Sequence, residues 1–126
     1  VSRFDKYDPY DGGFRARLNV AIPASEAGKI KAVTINSSGR VIIGGTLADI
    51  RGVICPTEAM PAGMAIDVMT DGEIADATET AGTAFTGGAV VYGHADGTVD
   101  DTLTTGKALG WTVEINRIIV RSSALV

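Results

Sequence analysis

The sequence predicts an all-β domain, a small barrel or sandwich of short antiparallel strands, preceded by an extended N-terminal arm. Three observations carry that reading. Turn signals recur about every ten residues between short apolar segments. Glycine is abundant, 16 of 126 residues, and scattered rather than periodic, which marks many tight turns. Only two stretches have any helical character: 47–51 is short, and 79–85 is polar and interrupted by Gly82, worth one turn at most.

Residues 1–17 read as the arm. They hold Phe4, Tyr7, Tyr10 and Phe14 at spacings that fit neither a strand nor a helix, and Asp8-Pro9 and Gly12-Gly13 interrupt any regular element. The domain proper is expected over 18–126. Residues 29–35 alternate, with Ile30, Ala32 (or Val33) and Ile35 as candidates for the inner face; Asn36-Ser37-Ser38-Gly39 turns the chain, and 40–43 returns. Gly63 opens a strand over 64–70 with Met64, Ile66 and Val68 inward and Asp67 outward. Asp71-Gly72 is a two-residue hairpin signal, with 73–77 as the return strand. A strand over 89–92, a turn over 94–97 and Thr98-Val99 follow. Residues 107–114 alternate, with Leu109, Trp111 and Val113 on one side, expected in the core, and Gly110, Thr112 and Glu114 on the other. Ile115-Asn116 turns the chain into 117–122, with Ile118 and Val120 inward and Arg117, Ile119 and Arg121 outward.

The totals fit one domain able to bury a core without disulfides or metals: 45% of residues are hydrophobic and 21% charged. No apolar run approaches the roughly 20 residues of a membrane helix. The start, Val1-Ser2-Arg3-Phe4-Asp5, lacks the layout of a secretory signal and reads as a chain that has lost only its initiator Met. Cys55 is the single cysteine, so no internal disulfide can form, and it reads as a small buried hydrophobe. The net charge of −4 is uneven. Residues 1–17 set Arg3, Lys6, Arg15 and Arg17 against Asp5, Asp8 and Asp11, whereas 58–101 carries nine acids and no Lys or Arg. Such an acidic surface argues against nucleic-acid binding.

No constellation for catalysis or metal binding is expected. His94, the single histidine, sits in a turn and reads as solvated, and no Gly-x-Ser-x-Gly elbow exists. One His and one Cys do not make a structural zinc site. Thr104-Thr105-Gly106-Lys107-Ala108 fails as a phosphate-binding loop because residue 108 is Ala and residue 101 is Asp. Asp5, Asp8 and Asp11 recur every three residues, whereas calcium loops space their acids by two; charge complementarity with a partner explains them better. No cofactor is expected.

Residues 52–126 carry a resemblance. The stretch opens with Gly52-Val53-Ile54-Cys55-Pro56-Thr57 and continues through Ala59-Met60-Pro61-Ala62-Gly63, Ile66-Asp67-Val68-Met69-Thr70-Asp71-Gly72-Glu73-Ile74 and Phe85-Thr86-Gly87-Gly88-Ala89-Val90-Val91-Tyr92. It ends with Gly106-Lys107-Ala108-Leu109-Gly110-Trp111-Thr112-Val113-Glu114 and then 117–121. In order and spacing these segments resemble the capsid decoration, or cement, proteins of tailed phages. The resemblance implies a small β-barrel or β-tulip, no enzyme activity, and docking on the major capsid protein at threefold or quasi-threefold positions of the outer head surface. It also implies homotrimers that help the shell resist packaged DNA, after assembly in the host cytoplasm.

Residues 1–17 have no aligned counterpart, so physics alone assigns them. Arg and aromatic side chains dominate binding hot spots, which makes Arg3, Phe4, Tyr7, Tyr10, Phe14, Arg15 and Arg17 the expected capsid-binding set. Two rival readings remain. One is a soluble barrel that binds a carbohydrate or peptide around Tyr92 and Trp111, favoured if Trp111 is exposed. The other is an enzyme built on Asp67, Asp96, Asp100 and Asp101.

Overall fold

The computed structural model describes residues 12–122 and is almost entirely β. Strands β1 (Gly13–Leu18), β2 (Lys31–Ile35), β3 (Arg40–Ile43), β4 (Gly52–Ile54) and β5 (Ala65–Met69) close into a barrel in the order β1-β3-β2-β4-β5. All pairs are antiparallel except β1 with β3. Strands β6 (Asp71–Ile74), β7 (Val90–Gly93), β8 (Val99–Asp100), β9 (Lys107–Glu114) and β10 (Arg117–Arg121) form a second, antiparallel sheet in the order β6-β10-β9-β7-β8. Single 3₁₀ turns occupy Ala24–Glu26 and Leu47–Asp49. The expected all-β barrel is therefore present, with a sheet packed beside it.

Two cores explain the arrangement. Leu18, Ile22, Val33, Val41, Ile54, Ile66 and Val68 fill the barrel. Ile30, Ala32, Ile50, Val53, Phe85, Val91, Val99, Leu109, Ile118 and Val120 lie between barrel and sheet. Strands β2 and β4 separate the two. Ala32 and Val53 face one core, Val33 and Ile54 the other. A strand buried on both faces reads as a continuous apolar run rather than an alternation, which is why 29–35 left the choice between Ala32 and Val33 open.

Four sequence expectations are corrected here. The arm expected over 1–17 overlaps the barrel: residues 1–11 lie outside the described residues, but Gly13–Leu18 is β1, paired over its length with β5 from Gly13↔Met69 to Arg17↔Ala65. Asp71-Gly72 does not turn a hairpin. Thr70 alone separates β5 from β6, and the chain passes from barrel to sheet, where Gly72, at φ 152°, opposes Val120. Met64, expected inward, is exposed just before β5. Trp111, expected in the core, is 42% exposed.

The Trp111 correction has a local cause. Val91 pairs with Gly110 but Tyr92 with Ala108, so Leu109 is an extra residue in β9. A bulge of this kind resets which face the following side chains occupy. Leu109 stays in the core, and beyond it Thr112 points inward while Trp111 and Val113 point out. Gly110 fits because nothing larger can: a Cβ there would lie 1.9 Å from the Ile119 carbonyl oxygen of β10.

Candidate functional site

The three described members of the expected capsid-binding set sit on the barrel wall. Phe14 packs inward against the barrel core. Arg15 and Arg17 point out, alternating with Phe14, Ala16 and Leu18 as a strand requires. Arg15 grips the cross-strand Asp67 with two hydrogen bonds, Nε–Oδ1 at 3.0 Å and the second at 3.3 Å, and Arg17 donates to the Gly63 carbonyl at 2.8 Å. Arg3, Phe4, Tyr7 and Tyr10 lie outside the described residues.

The carboxylates weighed for catalysis each hold part of the fold. Besides Asp67, Asp96 accepts the Thr98 N–H at 2.9 Å, and the Thr98 hydroxyl and N–H hold its carboxyl below the usual range. Asp100 accepts from Leu103 N–H at 3.1 Å and Asp101 from Thr86 N–H at 2.7 Å. Beside them, burial pushes the Glu79 carboxyl up, and the Asp101 charge pushes it further.

His94 is not solvated as expected. Its side chain is 15% exposed and Nε2 lies 3.1 Å from Asp100 Oδ2, although not aligned for a hydrogen bond. The cause is docking of the β7–β8 turn onto the barrel: Gly97 accepts the Ala32 N–H, and Ala95 accepts the Gly45 N–H. Among the described residues no group of three or more His, Cys, Asp or Glu could hold a metal ion, and no helix is long and apolar enough to cross a membrane.

A cleft of about 700 Å³ opens where barrel and sheet meet, lined chiefly by Phe14, Val53, Val68, Met69 and Ile74. Cys55 also faces it, half-buried rather than fully buried, its thiol pushed up by burial and then by the Asp76 charge. Two carboxylates of the cleft are engaged by guanidinium groups, Asp67 by Arg15 and Glu73 by Arg117.

The feature that sequence reasoning missed is the outer face of the second sheet. Glu73, Ile119, Trp111 and Val90 stand opposite one another across β6, β10, β9 and β7. Val113, the extra residue at a second register shift between β9 and β10, and Ile115, in the turn that follows, are exposed nearby. Val90, Val113 and Ile115 are 43%, 46% and 69% exposed. Around this apolar row, Arg117 bridges Glu73 (3.0 and 3.2 Å) and Glu114 (3.0 Å), which raises the arginine's affinity for its proton and lowers that of Glu73. The surface is apolar at its centre and charge-compensated around Arg117.

No protein-family model matches the chain, and no curated protein matches it. Among solved structures, a chain described as Mycobacterium phage Patience superposes with a TM-score of 0.75 at 21% identity, covering 94% of each chain. The fold, barrel and second sheet together, is thus shared with a phage protein.

Proposed function

We propose that this chain is a phage virion protein that decorates the outside of a tailed-phage head, binding the major capsid protein at threefold or quasi-threefold positions as a homotrimer and stabilising the shell. The observation that carries the reading is the fold shared over 94% of each chain with a chain of Mycobacterium phage Patience. The segment order over 52–126 supports it independently. Such a role needs a rigid body and adhesive surfaces; it requires no catalytic centre, cofactor, nucleic acid or membrane. The body is the barrel and sheet, and the adhesive leader is Arg3, Phe4, Tyr7 and Tyr10. Arg15, paired with Asp67, and Arg17, held by the Gly63 carbonyl, are exposed on β1.

The test is co-sedimentation of the purified chain with expanded heads. Full-length protein is expected to bind and protein lacking residues 1–11 to lose binding. Equal binding by the two would refute the role of the leader, and failure of the full chain to bind would sink the decoration reading. One observation favours the alternative of a carbohydrate- or peptide-binding barrel, the exposed indole of Trp111. Saturable quenching or enhancement of Trp111 fluorescence by neutral oligosaccharides, without head binding, would select it.

A further inference from the structure

The leader carries a triplet pattern. Arg3-Phe4-Asp5, Lys6-Tyr7-Asp8 and Pro9-Tyr10-Asp11 follow one another, each an aromatic residue followed by Asp. An extended chain of three residues per turn, the polyproline geometry, brings every third side chain to one edge. On such a segment Phe4, Tyr7 and Tyr10 share an edge about 19 Å long, at about 3.1 Å per residue. Asp5, Asp8 and Asp11 share a second edge, and Arg3 and Lys6 a third. One apolar edge calls for one apolar groove. The point where the leader joins the barrel is fixed. The Gly12 carbonyl accepts both the Thr70 N–H at 2.9 Å and the Asp71 N–H at 3.2 Å, which clamps the chain at the junction of β5 and β6. Only glycine fits there: a Cβ on Gly12 would lie 2.8 Å from the Asp71 carbonyl oxygen, and one on Gly13 would collide with the Val68 carbonyl. Gly12 and Gly13 are themselves part of the wall of the cleft between barrel and sheet, so the leader starts at the rim of that cleft.

We propose that in the free chain residues 1–11 dock back into this cleft as a strap, the edge of Phe4, Tyr7 and Tyr10 lying against Val53, Met69 and Ile74. Three observations select the chain's own leader as the occupant. The first is continuity: a segment tethered at the rim meets the cleft at an effective concentration on the order of millimolar, so a weak contact suffices to hold it. The second is size: about 700 Å³ of largely apolar space takes aromatic side chains that would otherwise face water. The third is charge. The cleft is lined by Asp67, Asp71 and Glu73, with Arg15 the one cation among its described lining residues, and the edge of Arg3 and Lys6 complements that rim. This docking goes beyond the decoration reading, since it says where the adhesive rings are kept before a partner takes them.

Cys55 is the single cysteine and faces the cleft, so its reaction with an aromatic disulfide reagent reports on the strap directly. The rate is measured on the full chain, on a chain lacking residues 1–11, and on a full-length chain carrying Tyr7→Ser and Tyr10→Ser, all with the same circular dichroism spectrum. The expected result is a rise of about tenfold in the rate for both variants. A third chain carrying Asp5→Asn and Asp8→Asn, on the edge turned away from the groove, is expected to react no faster than the parent. Equal Cys55 rates in the full and shortened chains overturn the docking. Shielding that appears only as protein concentration rises also overturns it, because the strap would then come from a second copy. Cys55 shielded by the leader in a chain that never binds expanded heads would sink the decoration reading and leave this one standing. Leader-dependent head binding with equal Cys55 rates would do the reverse.

Discussion

Glu26 shows how a single residue in a short turn conditions the barrel. Lys31 of β2 is 6% exposed, and its ammonium lies 2.6 Å from the Glu26 carboxylate; Lys29 approaches the other oxygen at 3.3 Å. Lys31 first, and Lys29 second, hold the Glu26 carboxyl below its ordinary range. A carboxyl lowered on folding contributes stability that is present above its unfolded value and lost as pH falls through the folded one. The urea midpoint should therefore drop on acidification from neutral pH. Glu26→Ala should lose about 1–3 kcal/mol at pH 7, because a buried ammonium is left short of its acceptor, and its acid-side slope should be shallower than the parent's. An unchanged slope would mean the pair contributes nothing. Glu79 has the opposite sign: its raised carboxyl favours the folded state at low pH, so Glu79→Gln should steepen the acid loss.

At the scale of an element, the legible strands were those whose partners are near in sequence. The pairs β2–β3, β7–β8 and β9–β10 were all read correctly in place because a turn of Asn, Asp or Gly joins each pair. Strand β1 was missed although Phe14, Ala16 and Leu18 alternate with Arg15 and Arg17; the irregular aromatics and paired glycines upstream drew those residues into the arm. Asp71-Gly72 misled for a related reason: the partner of β6 is β10, some 45 residues on, and local turn chemistry cannot announce a distant partner. The exposed apolar face of the second sheet was hidden because its parity depends on a bulge, visible only once β7 lies beside β9.

The β9–β10 turn offers a direct check of that element. Asn116→Gly keeps the left-handed backbone but removes the oxygen that holds the Phe85 N–H, and should cost about 1 kcal/mol. Asn116→Ala loses both and should cost about 1–2 kcal/mol more than the glycine variant. Denaturant midpoints of the two variants decide the order, and equal values would show that the side-chain bond alone matters.

The whole molecule is tied together by strands shared between two cores. Because β2 and β4 each present one face to the barrel core and one to the sheet core, neither core can open alone. Leu18→Ala in the barrel and Leu109→Ala in the sheet should each cost about 2–5 kcal/mol while leaving a single calorimetric transition. Two separated transitions would mean that the barrel and sheet unfold independently. The same architecture fixes where the chain can be shortened. Every pair that closes the barrel through β1 begins at Gly13 or later, and β1 supplies both the parallel seam with β3 and five registered positions against β5. Removing residues 1–11 should therefore leave a cooperative transition, whereas removing 1–17 opens the barrel, strips Phe14 and Ala16 from the Leu18 side of its core and exposes the edges of β3 and β5. The shorter deletion thus isolates the leader's contribution to head binding, and the longer one tests the fold. A chain lacking 1–17 that still melted cooperatively at the parent temperature would show that β1 is dispensable and that the barrel closes without it.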